Sequence, residues 1–491
     1  MKLTEVLLSL TFYEATSSIE GIEVNNIEID SRNVKPGSLF VCIDGFTVDG
    51  HDYVQQAVDN GAIAIIAEKK VTSSVPTIFV PNSSRTLAML AVTFYNNPTR
   101  TIPLIGVTGT NGKTTVTYLL DTIFNKHHKK TGVIGTIQMK IGEEIYPIEN
   151  TTPDALLLQQ SFKKMLDQHV DQAIMEVSSH ALDIGRVYGC DFDIAIFTNL
   201  SQDHLDYHNS IDDYLRAKIL LFAQLGNTYH EGTQKYAIIN EDDPSSKLIK
   251  QSTAQHVLTY GYKNDADVMA THVKLHAEGT SFLLWTPIGT IDINSRLIGM
   301  FNVYNMLAAS AAAIASNVPL DIIKYALESI KGVNGRFEPV ATEQPYAVIV
   351  DYAHTPDSLE NVLATMKDFA KKNIYVVIGC GGDRDRTKRP LMATVALQYA
   401  DHAIFTSDNP RSEDPQSILD DMITGIDYDR RKYEVIEDRK EAIYKAIEHA
   451  QADDIVLIAG KGHETYQQIG HVKYDFDDRR IAEEAIRTKE K

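Results

Sequence analysis

Cysteine is nearly absent: the 491 residues contain three, Cys42, Cys190 and Cys380. They are far apart and odd in number. They offer neither a disulfide framework nor a metal-ligand spacing, so a reducing cytoplasm is the expected compartment. Long apolar runs are also lacking. No stretch approaches ~18 uninterrupted apolar residues, which argues against a transmembrane span and membrane insertion. Val6-Leu7-Leu8 behind Lys2 superficially looks like a signal peptide. However, Glu5 interrupts the run and no small-x-small cleavage site follows. Leu3, Val6, Leu7 and Leu10 fall at helical spacing, which predicts a first amphipathic helix instead. Positive charge is scarce, with 47 Lys and Arg against 66 Asp and Glu, a net charge of −19. Nucleic-acid binding needs a basic face, and no Lys/Arg run supplies one. Anionic substrates remain possible, held by local cations and backbone N–H groups. Low-complexity tracts and repeats of ~20–50 residues are missing too.

What is present is ordinary for a globular protein: 43% hydrophobic and 23% charged residues. At ~100–200 residues per domain the length suggests three domains, expected at 1–98, 99–332 and 333–491. The first region holds short strand-like pieces at Ile27 to Ile29, Leu39 to Ile43, Ile63 to Ile66 and Thr77 to Val80, with a helix near Tyr53 to Asn60. Asn96-Asn97-Pro98, then Pro103, reads as a linker. In the second region, strands at Leu104 to Val107, Gln172 to Val177 and Asp193 to Thr198 alternate with helices at Lys113 to Asn125 and Ile211 to Leu225. Asn302 to Asn317 reads as a buried helix. The third region repeats the alternation. Its strands are Ala347 to Asp351, Ile374 to Gly379, His402 to Thr406 and Asp454 to Ala459. Its helices lie near Asp357 to Lys371, Pro390 to Ala400, Gln416 to Ile423 and Arg439 to Ala450. Alternation of this kind predicts an α/β chain with two doubly wound, mostly parallel sheets behind a smaller α/β unit.

Gly106-Val107-Thr108-Gly109-Thr110-Asn111-Gly112-Lys113-Thr114-Thr115 follows a strand and opens a helix. Such a turn aims backbone N–H groups at one point, and the helix dipole adds positive charge there. Lys113 supplies a mobile full charge for the β- and γ-phosphates, and a following Thr hydroxyl suits Mg²⁺. The strict Walker pattern has Gly where this chain has Val107; the glycine is displaced to Gly106. A phosphate loop alone says only "nucleotide".

Two strand ends narrow the chemistry. Glu176 closes an otherwise apolar strand, where a buried carboxylate needs a cation. Beside a phosphate loop that cation is Mg²⁺; taken alone, Glu176 could also form a structural salt bridge. The next strand ends in Thr198-Asn199-Leu200-Ser201-Gln202-Asp203-His204-Leu205-Asp206. This polar cluster sits where open α/β sheets bind ligands, and His204 could hold a metal or move a proton.

Gly109 to Thr115, Glu176-Val177-Ser178-Ser179-His180, Thr198-Asn199-Leu200 with Asp203-His204-Leu205-Asp206, Gly299 to Asn305, and Gly335-Arg336-Phe337-Glu338 occur in this order. Together they resemble the Mur ligase family over nearly the whole chain. The resemblance implies an N-terminal domain for a UDP-sugar, a central ATPase domain with a P-loop, and a Rossmann-like C-terminal domain for an amino acid. It implies ATP contacts at Gly109, Thr110, Asn111, Gly112, Lys113, Thr114, Thr115, Asn302, Arg336 and Asp351, with the turn Tyr352 to Pro356 alongside. Arg336 lies at a domain junction, so its reach to the nucleotide requires closure. The resemblance also implies Thr115 and Glu176 at one Mg²⁺, His204 at a second, and a carbamylated Lys218 serving that second ion. Lys113, Glu176, His204 and Lys218 form the expected catalytic set. By helical periodicity alone Lys218 reads as a surface lysine.

Asp30-Ser31-Arg32, Pro36 to Val41 and Asp49-Gly50-His51 are similar to the branch that adds diaminopimelate. In that branch Ser31, Asn150, Thr151, Thr152, Ser178 and Arg186 would meet the precursor, UDP-MurNAc-L-Ala-D-Glu. In the third region, Gly379 to Arg384, Ser407 to Arg411 and Ala459 to Glu464 all follow strands, so they should converge on one crevice. The branch's Asp-Asn-Pro-Arg motif makes Arg384, Asp408, Asn409, Pro410, Arg411, Gly460 and Glu464 the expected site for meso-2,6-diaminopimelate. Arg411 would take the far carboxylate and Glu464 the ammonium. L-lysine, a folylpolyglutamate synthase-like reaction and a nucleotide-binding relative without catalysis are the alternatives weighed. The expected state is a monomer.

Overall fold

The computed structural model describes residues 1–45, 48–227, 234–276, 278–340, 344–426, 429 and 432–489. Three sheets carry the chain, one per expected region. The first is five-stranded, in the order Glu14–Ala15, Thr77–Phe79, Ala62–Ala67, Ser38–Val41, Asn26–Glu28. All its pairings are parallel except that of Glu14–Ala15. The four strand-like pieces of the first region all fall within it. The expected first helix is shorter than its spacing suggested. One α turn, Leu3–Val6, passes into a 3₁₀ turn, Leu7–Ser9. The linker is built from Asn96 and Asn97, both left-handed at φ 60° and 52°, and a 3₁₀ turn at Pro98–Arg100.

The central sheet has eleven strands. Its strand Leu104–Thr108 lies between Gln172–Glu176 and Ile194–Phe197, parallel to both. Every residue of these three strands is buried. That explains their continuous apolar sequences, since helices cover both faces. Lys113–Lys126, Met300–Ala315 and Leu320–Ser329 pack on one face, through Val116, Leu120, Val303, Leu307 and Leu327. Ala155–Asp167 and Ile211–Ala223 pack on the other, through Leu158, Phe162, Leu221 and Phe222. After Leu104–Thr108 the chain first adds strands on one side, then crosses to the other at Ile194–Phe197. A crevice therefore opens above the carboxyl end of Leu104–Thr108. Both edges of the sheet are antiparallel: Met139–Ile141 with Glu144–Tyr146, and Val268–His276 with Gly279–Thr286 and Gly289–Ser295. None of these five strands was anticipated.

The third sheet runs Glu338–Pro339, Ala347–Asp351, Ile455–Ala459, Ile374–Ile378, His402–Phe405, Tyr433–Val435, parallel but for the first strand. The four strands expected there are its centre. Pro356–Phe369, Lys388–Tyr399 and Pro415–Ile423 cover one face; Arg439–His449 and Asp478–Lys489 cover the other. A separate hairpin pairs Tyr466–Ile469 with Val472–Asp475. No helix among the described residues is long and apolar enough to cross a membrane.

One buried ion pair supports the loop after Ile455–Ala459. Arg439 donates from Nε and Nη2 to the two oxygens of Asp478 at 2.8 and 2.7 Å, and from Nη2 to the Ala459 carbonyl at 2.9 Å. Both side chains are fully buried. Asp478→Ala strands the guanidinium without a counter-charge. The expected cost is about 3–5 kcal/mol, read as a lowered denaturation midpoint. An unchanged midpoint would contradict the pairing.

Candidate active site

The phosphate loop forms as its sequence requires. Gly109 adopts φ 148°, and a Cβ there would lie 1.8 Å from Thr198 Oγ1. Only glycine permits that approach, so the turn hugs the neighbouring strand end. Thr198 Oγ1 donates to the Asn111 carbonyl at 2.6 Å, and Asn111 N donates to Asn199 Oδ1 at 2.9 Å. Lys113 opens the helix and folds back, its Nζ donating to the Gly109 and Thr110 carbonyls at 2.9 Å each. Burial lowers its pKa.

Glu176 is buried beside this loop. Its Oε1 accepts from Thr136 N at 2.8 Å, and its Oε2 from Thr136 Oγ1 at 3.0 Å and Thr114 Oγ1 at 3.1 Å. The hydroxyl that reaches Glu176 is thus Thr114's. Thr115, expected with Glu176 at one Mg²⁺, lines the same cavity without a direct hydrogen bond to that carboxylate. The two hydroxyls lie on successive residues of a helix and point about 100° apart. No ion pair holds Glu176 among the described residues. A buried carboxylate with three neutral donors beside a phosphate loop fits a divalent cation. The described residues contain no group of three or more His, Cys, Asp or Glu placed to hold a metal ion by themselves. That donor set fits Mg²⁺, which takes one or two carboxylates and completes its shell with phosphate and water.

His204 sits at φ 56° with its ring edge-on to His180, the centroids 4.9 Å apart. Burial holds both imidazoles neutral, His204 down to about 3 and His180 down to about 4. Asp203 faces His204 Nε2 at 3.5 Å, His354 Nε2 at 3.7 Å and Lys388 Nζ at 3.6 Å. Burial opposes its charge, but those three groups outweigh burial and hold it well below the usual carboxylate range. Lys218 is not a surface lysine. It is 1% exposed, donates to the Gly109 carbonyl at 2.8 Å, and lies 4.2 Å from the Tyr214 ring centre. Burial, reinforced by Lys113, holds its amine well below the usual lysine value.

The domains meet at this point. Arg336 Nη2 donates to Thr114 Oγ1 at 3.0 Å, and its guanidinium lies 4.4 Å from the Tyr352 ring centre. Asn111 Nδ2 donates to Asp357 Oδ2 at 2.9 Å. Arg336 thus reaches across the junction to the phosphate loop. A cavity of about 400 Å³ joins the loop Gly109 to Thr115 with Asn150, Thr151, Thr152, Glu176, Ser178, Arg186, His204, Lys218, Arg336 and Arg384. Within it, Thr152 Oγ1 donates to the Glu176 carbonyl at 2.8 Å, Ser178 N donates to Thr152 Oγ1 at 3.0 Å, and Arg186 Nη1 donates to the Thr152 carbonyl at 2.8 Å. A second cavity, about 510 Å³, shares Asn111, Gly112, Thr115 and Arg336 and continues past Tyr304, Asn305 and Asp351. Asp351 braces its own turn, accepting from Phe337 N and Ala353 N at 2.6 and 2.7 Å.

Of the residues expected at ATP and the precursor, two stand outside these walls. Asn302 faces the other side of the junction, with its Nδ2 on the Ile298 carbonyl at 2.9 Å. Asn305, one turn on, lines the 510 Å³ cavity instead. Ser31 is buried in the first domain, donating to Gln56 Oε1 at 2.8 Å. Its neighbours Asp30 and Arg32 face the groove against Asp154 and Leu157.

The three C-terminal loops do converge. Gly381 lies against the guanidinium of Arg411 and the stem of Arg384. Arg411 Nη1 donates to the Gly382 carbonyl at 2.7 Å, and the Pro410 carbonyl packs onto Gly382. Gly460 adopts φ 112°, where a Cβ would stand 2.6 Å from Asp408 Oδ2. Asn409 Nδ2 donates to Glu464 Oε2 at 2.8 Å. Lys461, Thr136 and Asp203 were not singled out from sequence, although Lys461 and Asp203 lie inside the quoted motifs.

Three stretches of the chain match family models: residues 23–95 "Mur ligase family, catalytic domain", 107–313 "Mur ligase middle domain" and 335–462 "Mur ligase, glutamate ligase domain". The chain is 67% identical over 100% of both chains to the UDP-N-acetylmuramoyl-L-alanyl-D-glutamate–2,6-diaminopimelate ligase of Oceanobacillus iheyensis. It is 56% identical, over 99% of both, to the ligase of that name from Bacillus velezensis. A solved structure of such a ligase superposes with a TM-score of 0.70 at 34% identity, covering 100% of each chain.

Proposed function

The chain belongs to the Mur ligase family, and we propose that it joins meso-diaminopimelate to the D-Glu carboxylate of UDP-MurNAc-L-Ala-D-Glu, using ATP, in peptidoglycan synthesis. The reading takes residues 1–98 as the UDP-sugar domain, 99–332 as the ATPase domain and 333–491 as the amino-acid domain. It places the monomeric enzyme in the cytoplasm.

The observation that carries it is the 400 Å³ cavity, where the phosphate loop, the Thr152–Ser178–Arg186 group and two arginines of the third domain share one wall. ATP would occupy the neighbouring cavity with its triphosphate on the loop's N–H groups. The precursor would enter past Arg186, whose guanidinium suits an anion. Its carboxylate oxygen attacks the γ-phosphorus, the bond to the β-phosphate oxygen breaks, and ADP leaves. Lys113, Arg336 and the loop N–H groups neutralise the transferred charge. The uncharged amine of the amino acid then attacks the acyl-phosphate carbonyl. The tetrahedral intermediate collapses, phosphate departs, and an amide remains. Water must be kept from the acyl-phosphate, which it would hydrolyse; Arg336 reaches across the junction to Thr114 at that point. Mg²⁺ suits Glu176 with Thr114, and a second ion suits His204 with carbamylated Lys218; such ions supply charge neutralisation to the phosphates.

The test is phosphate release by the purified chain with ATP, Mg²⁺ and the precursor. Release should be fast with meso-diaminopimelate, slow with L-lysine and near background with neither. Equal release with both amino acids would overturn the assignment of the third substrate.

A further inference from the structure

Lys461 is a buried charged group in the C-terminal loops to which the reaction above gives no task. Its side chain is fully buried, yet it lies on a loop rather than in the hydrophobic core. Its Nζ donates to Asn409 Oδ1 at 2.9 Å and to Glu464 Oε2 at 3.0 Å. Gln468 N donates to the same Asn409 oxygen at 2.9 Å. Two donors on one oxygen settle which way the Asn409 amide faces, so its nitrogen must point at Glu464. That nitrogen donates to Glu464 Oε2 at 2.8 Å. Glu464 Oε2 is therefore doubly satisfied, and Oε1 carries no hydrogen bond among the described residues. The open oxygen belongs to a carboxylate whose direction is fixed by its neighbours.

Lys461 also opposes Asp408. Burial raises the pKa of Asp408, and the Lys461 charge, followed by Arg439 and Arg411, overrides it. Arg439 is already matched by Asp478. Lys461 thus serves both Asp408 and Glu464.

We propose that Lys461 is a positioning residue for the incoming amino acid: it holds Glu464 and Asn409 so that Glu464 Oε1 receives the substrate's far ammonium. The proposal rests on the reading of these loops as the amino-acid site. The fixed carboxylate then meets the ammonium while Arg411 and Arg384 meet the far carboxylate, so both charged groups at the far end of the substrate are oriented at once. Without the Lys461 charge, Glu464 and Asp408 are less compensated. The site then favours a cationic amino acid over one with an extra carboxylate.

The test compares the full chain with Lys461→Met, which keeps length without charge, and Lys461→Gln, which keeps a donor without charge. Acyl-phosphate formation needs no amino acid, so precursor-dependent exchange between ADP and ATP reads the rest of the enzyme. Lys461→Met should keep that exchange and the KM values for ATP and precursor within roughly twofold. Its KM for meso-diaminopimelate should rise roughly tenfold or more, and its discrimination against L-lysine should shrink. Lys461→Gln should fall between. If both variants match the unaltered chain in KM and discrimination, the proposal fails. It also fails if all three KM values rise together, or if exchange is lost with ligation, because the role is then merely structural. If the unaltered chain performs the exchange but never incorporates diaminopimelate, the reading of the site has failed, not the role of Lys461.

Discussion

Lys218→Ala is expected to lower ligation roughly a thousandfold or more, with partial recovery on addition of formate or acetate. The physical basis is the state of the amine. Lys218 is buried under the phosphate loop, its Nζ on the Gly109 carbonyl at 2.8 Å. Burial and the nearby Lys113 push its pKa well down, which favours the neutral form of the amine. A neutral amine is the form that attacks CO₂. The N–C bond forms, a proton leaves to solvent, and the side chain becomes an anion. That anion would lie in the cavity that holds Glu176 and His204. Alanine removes the arm and leaves space for a small carboxylate, which is why rescue is expected. Intact-protein mass should show the added CO₂, and activity should depend on bicarbonate. Full activity with an unmodified lysine and no bicarbonate dependence would remove the carbamate.

Arg411→Ala should lower kcat/KM for meso-diaminopimelate by roughly ten- to a hundredfold, the scale of one lost charge-assisted hydrogen bond of about 1.5–3 kcal/mol. The KM for ATP should not move. Arg411 is held in place from both sides. Its backbone N donates to the Gln468 carbonyl at 3.1 Å, and its own carbonyl accepts from Gly470 N at 2.7 Å. It holds a left-handed conformation at φ 51°. Arg384 beside it adds a second cation, and burial with that neighbour lowers the Arg411 pKa. Two adjacent arginines call for an anion, and a second carboxylate on the substrate supplies it. L-lysine lacks that group, so its slow turnover should change little. Equal losses with both amino acids would contradict the assignment.

Much of the fold was legible because buried parallel strands and covering helices leave strong patterns. Leu104 to Val107 and Ile374 to Gly379 are apolar throughout, and the structure makes both into central strands. The antiparallel edges were not legible. Val268–His276 alternates buried and exposed residues, and only one of its faces packs. Such strands carry half the apolar signal of a doubly covered one. The helix Asp478–Lys489 escaped because its charged residues dilute a narrow stripe of Ile481, Ala482, Ala485 and Ile486. At the site, motif spacing located the phosphate loop, Glu176 and the convergence of the C-terminal loops. It does not reveal that of the two neighbouring hydroxyls, Thr114 and Thr115, it is Thr114's that bonds Glu176. Nor does it reveal that Asn302 and Asn305, three residues apart on one helix, line different cavities. The burial of Lys218 depends on a helix packing under a distant loop, which periodicity within the helix does not reveal. Lys461 was hidden for a related reason, since its partners lie on two different loops.

The central claim is that the γ-phosphoryl group passes to a carboxylate before any amide forms. The most direct measurement follows a heavy oxygen isotope placed in the D-Glu carboxylate of the precursor. Transfer through an acyl-phosphate predicts that each inorganic phosphate released carries one oxygen from that carboxylate. Phosphate whose added oxygen comes from water would contradict the account.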